Sequence, residues 1–222
     1  MAEILTADFF DRDAQRVARQ LLGKVLRHRV RNHWLAARII ETEAYYTREK
    51  GSHSSLGYTE ARRAMFMPPG TIYMYYARGK SSLNVSCRGK GNAVLIKSAF
   101  PYTDRQSPKS TIHIMQSLHG QQRPVEKLCN GQTLLCTALD LHVPEWNAQT
   151  FTRQQFYVED IDKCPERIIQ TRRLGIPAGR DEHLMYRYID YDFARYCTSN
   201  PLRKRGFEPG RDYRILAIRG CK

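Results

Sequence analysis

No stretch of about 18 uninterrupted apolar residues occurs in this 222-residue chain, which argues against a membrane-spanning helix. The opening MAEILTADFFDRDAQ lacks the basic-then-apolar layout of a secretory signal, so an intracellular protein is expected. Cysteine is sparse. The six residues Cys87, Cys129, Cys136, Cys164, Cys197 and Cys221 include no Cys-x-x-Cys pair, so spacing gives no support to a structural zinc. Free thiols, several of them buried, are the expectation for a reducing compartment. Internal repeats, heptads and a dividing linker are missing too, which leaves a single domain over residues 1–222 as the economical reading. Negative charge is also short. There are 22 Asp and Glu against 36 Lys and Arg, a net charge of +14. Such an excess favours an anionic partner, nucleic acid being the common one. Charge alone separates neither DNA from RNA nor either from an acidic membrane, and a solvated basic surface is the competing reading.

What is present reads as a mixed α/β (α+β) chain. Asp13 to Gly23 carries Ala14, Val17, Ala18, Leu21 and Leu22 on one face at helical spacing. Asp11 or Asp13 can cap its start and Gly23 can end it. Val25–Val30 and Trp34–Glu43 read as two strands of a hairpin around a turn at residues 31–33. In a regular strand Leu35, Ala37, Ile39, Glu41 and Glu43 share one face. A face that is apolar and then acidic suggests carboxylates at the rim of a core or the floor of a cleft. Pro68-Pro69-Gly70 is a turn. Thr71–Tyr76 is a strand with Tyr73 and Tyr75 on the same side, and residues 78–82 form a basic turn. Asn92–Lys97 reads as a buried strand with a charged end. Residues 104–124 read as polar loop with some helix, QTLLCTALDL as a short helix, and Phe156–Glu159 and Arg214–Ile218 as strands.

The chemistry concentrates between Glu43 and Lys97. That segment offers a strand-end carboxylate, one histidine (His53), a basic turn, and the aromatics Tyr45, Tyr46, Tyr58, Phe66, Tyr73, Tyr75 and Tyr76. Aromatic rings stack on unpaired bases while Lys and Arg meet phosphates. A carboxylate in such a pocket can act as a general base on water. The plainer alternative is that these tyrosines fill core and interfaces.

The segments IIETEAY, MFMPPGTIYMYYARGKSSLNVS and AVLIKSAFP resemble the alkyladenine (3-methyladenine) DNA glycosylase family. The opening ADFFDRDAQRVARQLLGKVL and the late LCNGQTLLCTAL and NPLRKRG fit the same family in the same order, so the resemblance spans nearly the whole chain. It implies a curved, largely antiparallel sheet flanked by helices, with a β-hairpin projecting to DNA. It also implies a monomer without metal, cofactor or membrane partner, acting on double-stranded DNA that contains damaged purines. The setting would be the cytoplasm or nucleoid of a bacterium, or the nucleus of a eukaryote. The reaction implied is base excision repair: the nucleotide is flipped out of the duplex and its N-glycosidic bond is cut by water. The family's general base matches Glu43. Its base-sandwiching tyrosines match Tyr45 and Tyr75, with Tyr73 nearby. Its pocket histidine matches His53, and the asparagine that excludes guanine matches Asn84.

Departures accompany the resemblance. The stretch from Glu43 to His53 and the loop from Tyr75 to Asn84 are each one residue shorter than in vertebrate members. The intercalating wedge therefore falls in the Tyr76 to Lys80 hairpin, on Arg78 or Tyr76. Lys97 stands where the family often carries Arg, without its bidentate fork. NGQTLL has lost the family's usual Pro and Lys. Glu41 is the rival carboxylate, expected in a salt bridge or hydrogen bond at the sheet edge. Lys97 as a lyase nucleophile would need a specially activated amine, so a monofunctional enzyme is expected. A non-catalytic binder of damaged or bent nucleic acid on the same fold is the competing class. A nuclease or RNA-modifying activity lacks metal-ligand spacing.

Overall fold

Asp13 starts the first long helix by accepting hydrogen bonds from the backbone N–H groups of Gln15 and Arg16. The computed structural model, which describes residues 3–120 and 122–218, runs that helix from Ala14 to Leu21 (α2). It buries the expected stripe of Ala14, Val17, Ala18 and Leu21. A two-residue strand, β1 (Glu3–Ile4), and a one-turn helix, α1 (Ala7–Phe10), precede it. At Gly23 the chain turns with φ +88°, and a Cβ there would stand 2.5 Å from the Lys163 carbonyl oxygen. Only glycine fits both demands.

Strands β2 (Val25–Val30) and β3 (His33–Tyr45) form the expected hairpin, with β3 longer at both ends than its pattern indicates. Next come β4 (Ile72–Ala77), β5 (Lys80–Ser86) and β6 (Ala93–Pro101). Helices α3 (Ser110–Leu118), α4 (Gln132–Ala138) and α5 (Val143–Trp146) follow. The chain then adds β7 (Phe156–Asp160), β8 (Arg167–Thr171), β9 (Arg187–Asp190) and β10 (Tyr213–Ala217). These ten strands build one open sheet in the order β1-β7-β2-β3-β6-β5-β4, every pair antiparallel. A branch of β9, β8 and β10 pairs with the far half of β3. The mixed α/β single-domain reading therefore holds. No helix among the described residues is long and apolar enough to cross a membrane.

The single face proposed for Leu35 through Glu43 is incorrect. Strand β3 is bulged: Ile39 pairs with Ala99, Glu41 with Ser98 and Thr42 with Ile96, so Ile40 and Lys97 have no partner across this pair. Each bulge inserts one residue and reverses the alternation beyond it. Leu35, Ala37 and Ile39 belong to the main core, and Ala44 rejoins them there. Thr42 points the same way and donates its hydroxyl to the Ala18 carbonyl of α2. Ile40 lies on the opposite side, in a second cluster with Ile169 and Ile189. Glu41, cross-strand from Ile189, and Glu43 share that second side. The carboxylates thus lie on the sheet face away from α2.

The basic turn is also tighter than its composition suggests. Residues 78 and 79 alone form it, with φ 51° at Arg78 and 76° at Gly79, as a two-residue hairpin turn with both central residues left-handed requires. Lys80–Ser82 belong to β5. The thiols of Cys87, Cys129, Cys136 and Cys197 are free and buried. Cys164 is disulfide-bonded, contrary to the expectation of free thiols, and Cys221 lies outside the described residues.

His28 gives the fold a measurable pH response. Its ring lies edge-on to Trp146 and Phe156, and Nδ1 is 2.6 Å from the Leu139 carbonyl oxygen. Burial, partly offset by that carbonyl, holds its titration below the usual 6.5. On acidification the unfolded chain therefore takes up this proton before the native state does. The contribution of His28 is complete above pH 6.5 and is lost as the pH falls through 6.5 towards the folded value, at up to about 1.4 kcal/mol per pH unit. Denaturant midpoints measured from pH 7 to pH 5 should fall less steeply for His28→Phe than for the parent. Parallel slopes would remove His28 as the responsible group.

Candidate active site

Cross-strand pairing sets one row of side chains across five strands. Tyr73 on β4 faces Asn84 on β5, which faces Leu95 on β6, then Glu43 on β3 and Arg187 on β9. Directly opposed residues share a sheet face, so the two bulges place Glu43 in line with the aromatic hairpin. A cavity of about 920 Å³ lies along this row. Tyr45, His53, Tyr73, Tyr75, Asn84 and Lys97 line it, and Arg78 and Lys80 reach it from the hairpin tip.

Glu43 is fully buried and sits behind the cavity wall rather than in it. Its Oε1 accepts the Leu174 backbone N–H at 3.0 Å. Its Oε2 accepts the Tyr45 hydroxyl at 2.7 Å and lies 3.8 Å from Lys97 Nζ. Two wall residues, Tyr45 and Lys97, thus connect the carboxylate to the cavity. Burial first, then the charge of Glu43, drives the Tyr45 phenol far above its usual range, so it remains a donor to that carboxylate. Arg173 covers the Tyr45 ring at 4.5 Å and donates to the Ala44 carbonyl. Its guanidinium is 2.5 Å from Glu49 Oε2, and both partners are buried.

Glu41, the rival carboxylate, is spent on structure. Arg187 Nε donates to it at 2.6 Å, and the Ser98 hydroxyl and the Thr198 N–H fill its other oxygen. This buried pair also pins the segment around Thr198 to the sheet.

The aromatic wall is built by the hairpin and the turn after β3. Tyr73 and Tyr75 rings stack at 5.7 Å and 24°. His53 opens a short 3-10 helix (His53–Leu56) and lies edge-on to Tyr75 at 4.5 Å, with Nδ1 3.2 Å from the Tyr73 hydroxyl. Burial, then Arg62 and Arg180, lowers the His53 titration below 6.5, so its ring is neutral at pH 7. Burial likewise lifts the Tyr73 phenol to about 12. Asn84 Nδ2 donates to the Tyr73 carbonyl, which fixes the orientation of its amide.

Not every candidate converges. Tyr76 is 58% exposed and does not line the cavity, because strand alternation puts it opposite Tyr75 and Ala77. Tyr46 is a core residue whose hydroxyl bonds Asp13 at the start of α2. Tyr58 packs on Phe66. The residues that sequence reasoning missed are Gln132, Arg173 and Leu174. Leu174 reaches Glu43 across 131 positions of sequence, and such a long-range contact leaves no local periodicity. The only local hint was the departure in NGQTLL, which contains Gln132. Among the described residues no group of three or more His, Cys, Asp and Glu side chains is arranged to hold a metal ion.

Comparison with known proteins adds an independent finding. A family model described as methylpurine-DNA glycosylase matches residues 8–193. A protein of Pseudomonas savastanoi pv. phaseolicola is 63% identical over 220 residues, covering 97% of this chain and 98% of that protein. One of Pseudomonas aeruginosa PAO1 is 60% identical over 219 residues, covering 97% and 91%. A protein of Methanocella arvoryzae is 33% identical over 192 residues, covering 84% and 92%. All three carry the name "Putative 3-methyladenine DNA glycosylase". With that similarity running through nearly its full length, and with a carboxylate fixed behind an aromatic cavity, the chain belongs to the methylpurine-DNA glycosylase family.

Proposed function

We propose that this protein is a monofunctional DNA glycosylase that excises alkylated purines of the 3-methyladenine type from double-stranded DNA inside the cell, as a monomer. The observation that carries the reading is the placement of Glu43, held by Leu174 and Tyr45 and joined through Tyr45 and Lys97 to a cavity walled by tyrosines and a neutral histidine.

The damaged nucleotide leaves the stack and enters the cavity, where unstacking costs least for a damaged base. Tyr45 and Tyr75 offer ring faces to a base that carries positive charge when N-alkylated, a contact worth about 0.5–2 kcal/mol. His53, being neutral, adds no repulsion to such a cation. Asn84 stands as the filter against the exocyclic amino group of guanine. Glu43 orients a water at its Oε2 side and takes its proton as the oxygen attacks the anomeric carbon. The same negative charge favours the oxocarbenium-like transition state, while the alkylated purine departs as a neutral base. The near partners of Lys97 are the amide of Gln132 and the Glu43 carboxylate. Neither is the apolar pocket or cationic neighbour that activates a Schiff-base lysine, so no strand scission accompanies base release. At the hairpin tip Arg78, held left-handed ahead of Gly79, fills the gap left by the everted nucleotide. Lys80, and Tyr76 on the outer face, contact the backbone beside it.

The direct test incubates protein with methylated duplex and with duplexes that each hold one 7-methylguanine, hypoxanthine or ethenoadenine. Alkali-labile sites should form at a damaged purine, with no break before alkali and the same rate in chelator. Breaks that form without alkali, or no released purine from any substrate, would reject the assignment.

A further inference from the structure

Gln132 occupies a position that no strand of the site supplies. It opens α4 and lines the cavity. Its Oε1 accepts a hydrogen bond from Lys97 Nζ at 3.0 Å, and its Nε2 donates to the Tyr75 hydroxyl at 3.5 Å. An ammonium can only donate, so the Lys97 contact decides which end of the amide is oxygen. The nitrogen is thereby turned towards Tyr75. One planar group bridges the cation next to Glu43 and a ring of the base-holding wall.

The distances around Lys97 give this bridge a purpose. Its Nζ is 3.8 Å from Glu43 Oε2, whereas a charge-assisted N–H···O contact closes to about 2.7–2.9 Å. The ammonium has closed on the amide instead. Oε2 already accepts the Tyr45 hydroxyl, and an ammonium in full contact would occupy the remaining approach to that oxygen. That approach is where a water must sit for Glu43 to act on it.

We propose that Gln132 is a positioning residue: it draws Lys97 off Glu43, keeps the Oε2 approach open for the attacking water, and couples that spacing to Tyr75. The inference rests on Glu43 being the general base. It also assigns a task to the residue that stands where NGQTLL departs from the pattern of its family.

The test is a double-mutant cycle read in single turnovers on a duplex with one 7-methylguanine, a cationic lesion that leaves as a neutral base. Gln132→Met keeps the length and helix preference of the side chain but has no strong acceptor or donor. It should slow excision by about 10²-fold, as displacement of a reacting group by an ångström does. The dissociation constant for lesion DNA should stay within about threefold, because ground-state binding is untouched. Lys97→Met should be slowed as well, and the double variant should be no slower than the slower single variant. Thermal unfolding checks that each variant is folded, and Gln132→Leu replaces Gln132→Met if that one is not. Losses that multiply in the double variant, or an unchanged rate in Gln132→Met, overturn the proposal. Glu43→Gln is measured in parallel. If it is inactive while Gln132→Met is unaffected, only the positioning role falls. If it excises normally, the general-base reading falls and takes this proposal with it.

Discussion

Glu43→Gln should bind lesion-containing duplex as the parent does and release almost no base. The substitution keeps the side chain's size and an oxygen that can accept the Leu174 N–H, so the wall behind the cavity survives. Under the proposed mechanism it removes the proton acceptor for the attacking water, and with it the negative charge that would stabilise the transition state. General-base catalysis contributes about 10²–10⁴-fold, and the excision rate should fall by that factor or more. Single-turnover excision and fluorescence anisotropy on one labelled duplex separate chemistry from binding. Excision within tenfold of the parent would remove Glu43 from its role. A fully buried carboxylate could instead be purely structural, but a structural loss would appear in the unfolding temperature and the anisotropy as well as in the rate.

DNA affinity should be the most salt-sensitive property of the molecule. The chain carries 36 basic against 22 acidic residues, and Arg78 and Lys80 lie together at the hairpin tip beside the cavity. Each neutralised phosphate contributes a slope of about −0.9 to log K against log salt. With six to ten such contacts, affinity falls roughly 10³–10⁵-fold between 50 and 200 mM salt. Lys80→Ala should make the slope shallower by about one contact, equally on damaged and undamaged duplex. A salt-independent affinity would mean that this face does not meet DNA.

Local patterns made most of the secondary structure legible. The apolar stripe of α2 and the β-branched and aromatic run of β4 each encode their own element within a few residues. The facing of β3 was not legible, because a bulge leaves no mark in apolar–polar alternation. Read as a regular strand, Ile39 and Glu41 share a side; the unpaired Ile40 separates them. Composition misled at residues 78–82, where polarity suggested a long turn and positive φ at two residues made a short one. Of the seven aromatics near Glu43, only Tyr45, Tyr73 and Tyr75 line the cavity. Tyr46 could have been excluded only by seeing Asp13, 33 positions away, take its hydroxyl. Arg173 and Leu174 lie beyond local inference for the same reason: they come from the far half of the chain and meet Glu49 and β3 only in three dimensions.

The offset in β3 has a matching offset in β6, where the surplus residue is Lys97 itself. Removing Ile40 alone would take out the β3 bulge, and removing Lys97 alone the β6 bulge; in each case the flanking residues keep their sides, Glu43 and Leu95 included. Removing Ile40 and Lys97 together would restore an unbroken ladder that still presents Glu43 to the same side, at the loss of its cation. A lineage that straightens β6 here loses Lys97 and must find its positive charge elsewhere, whereas β3 can be straightened without that loss.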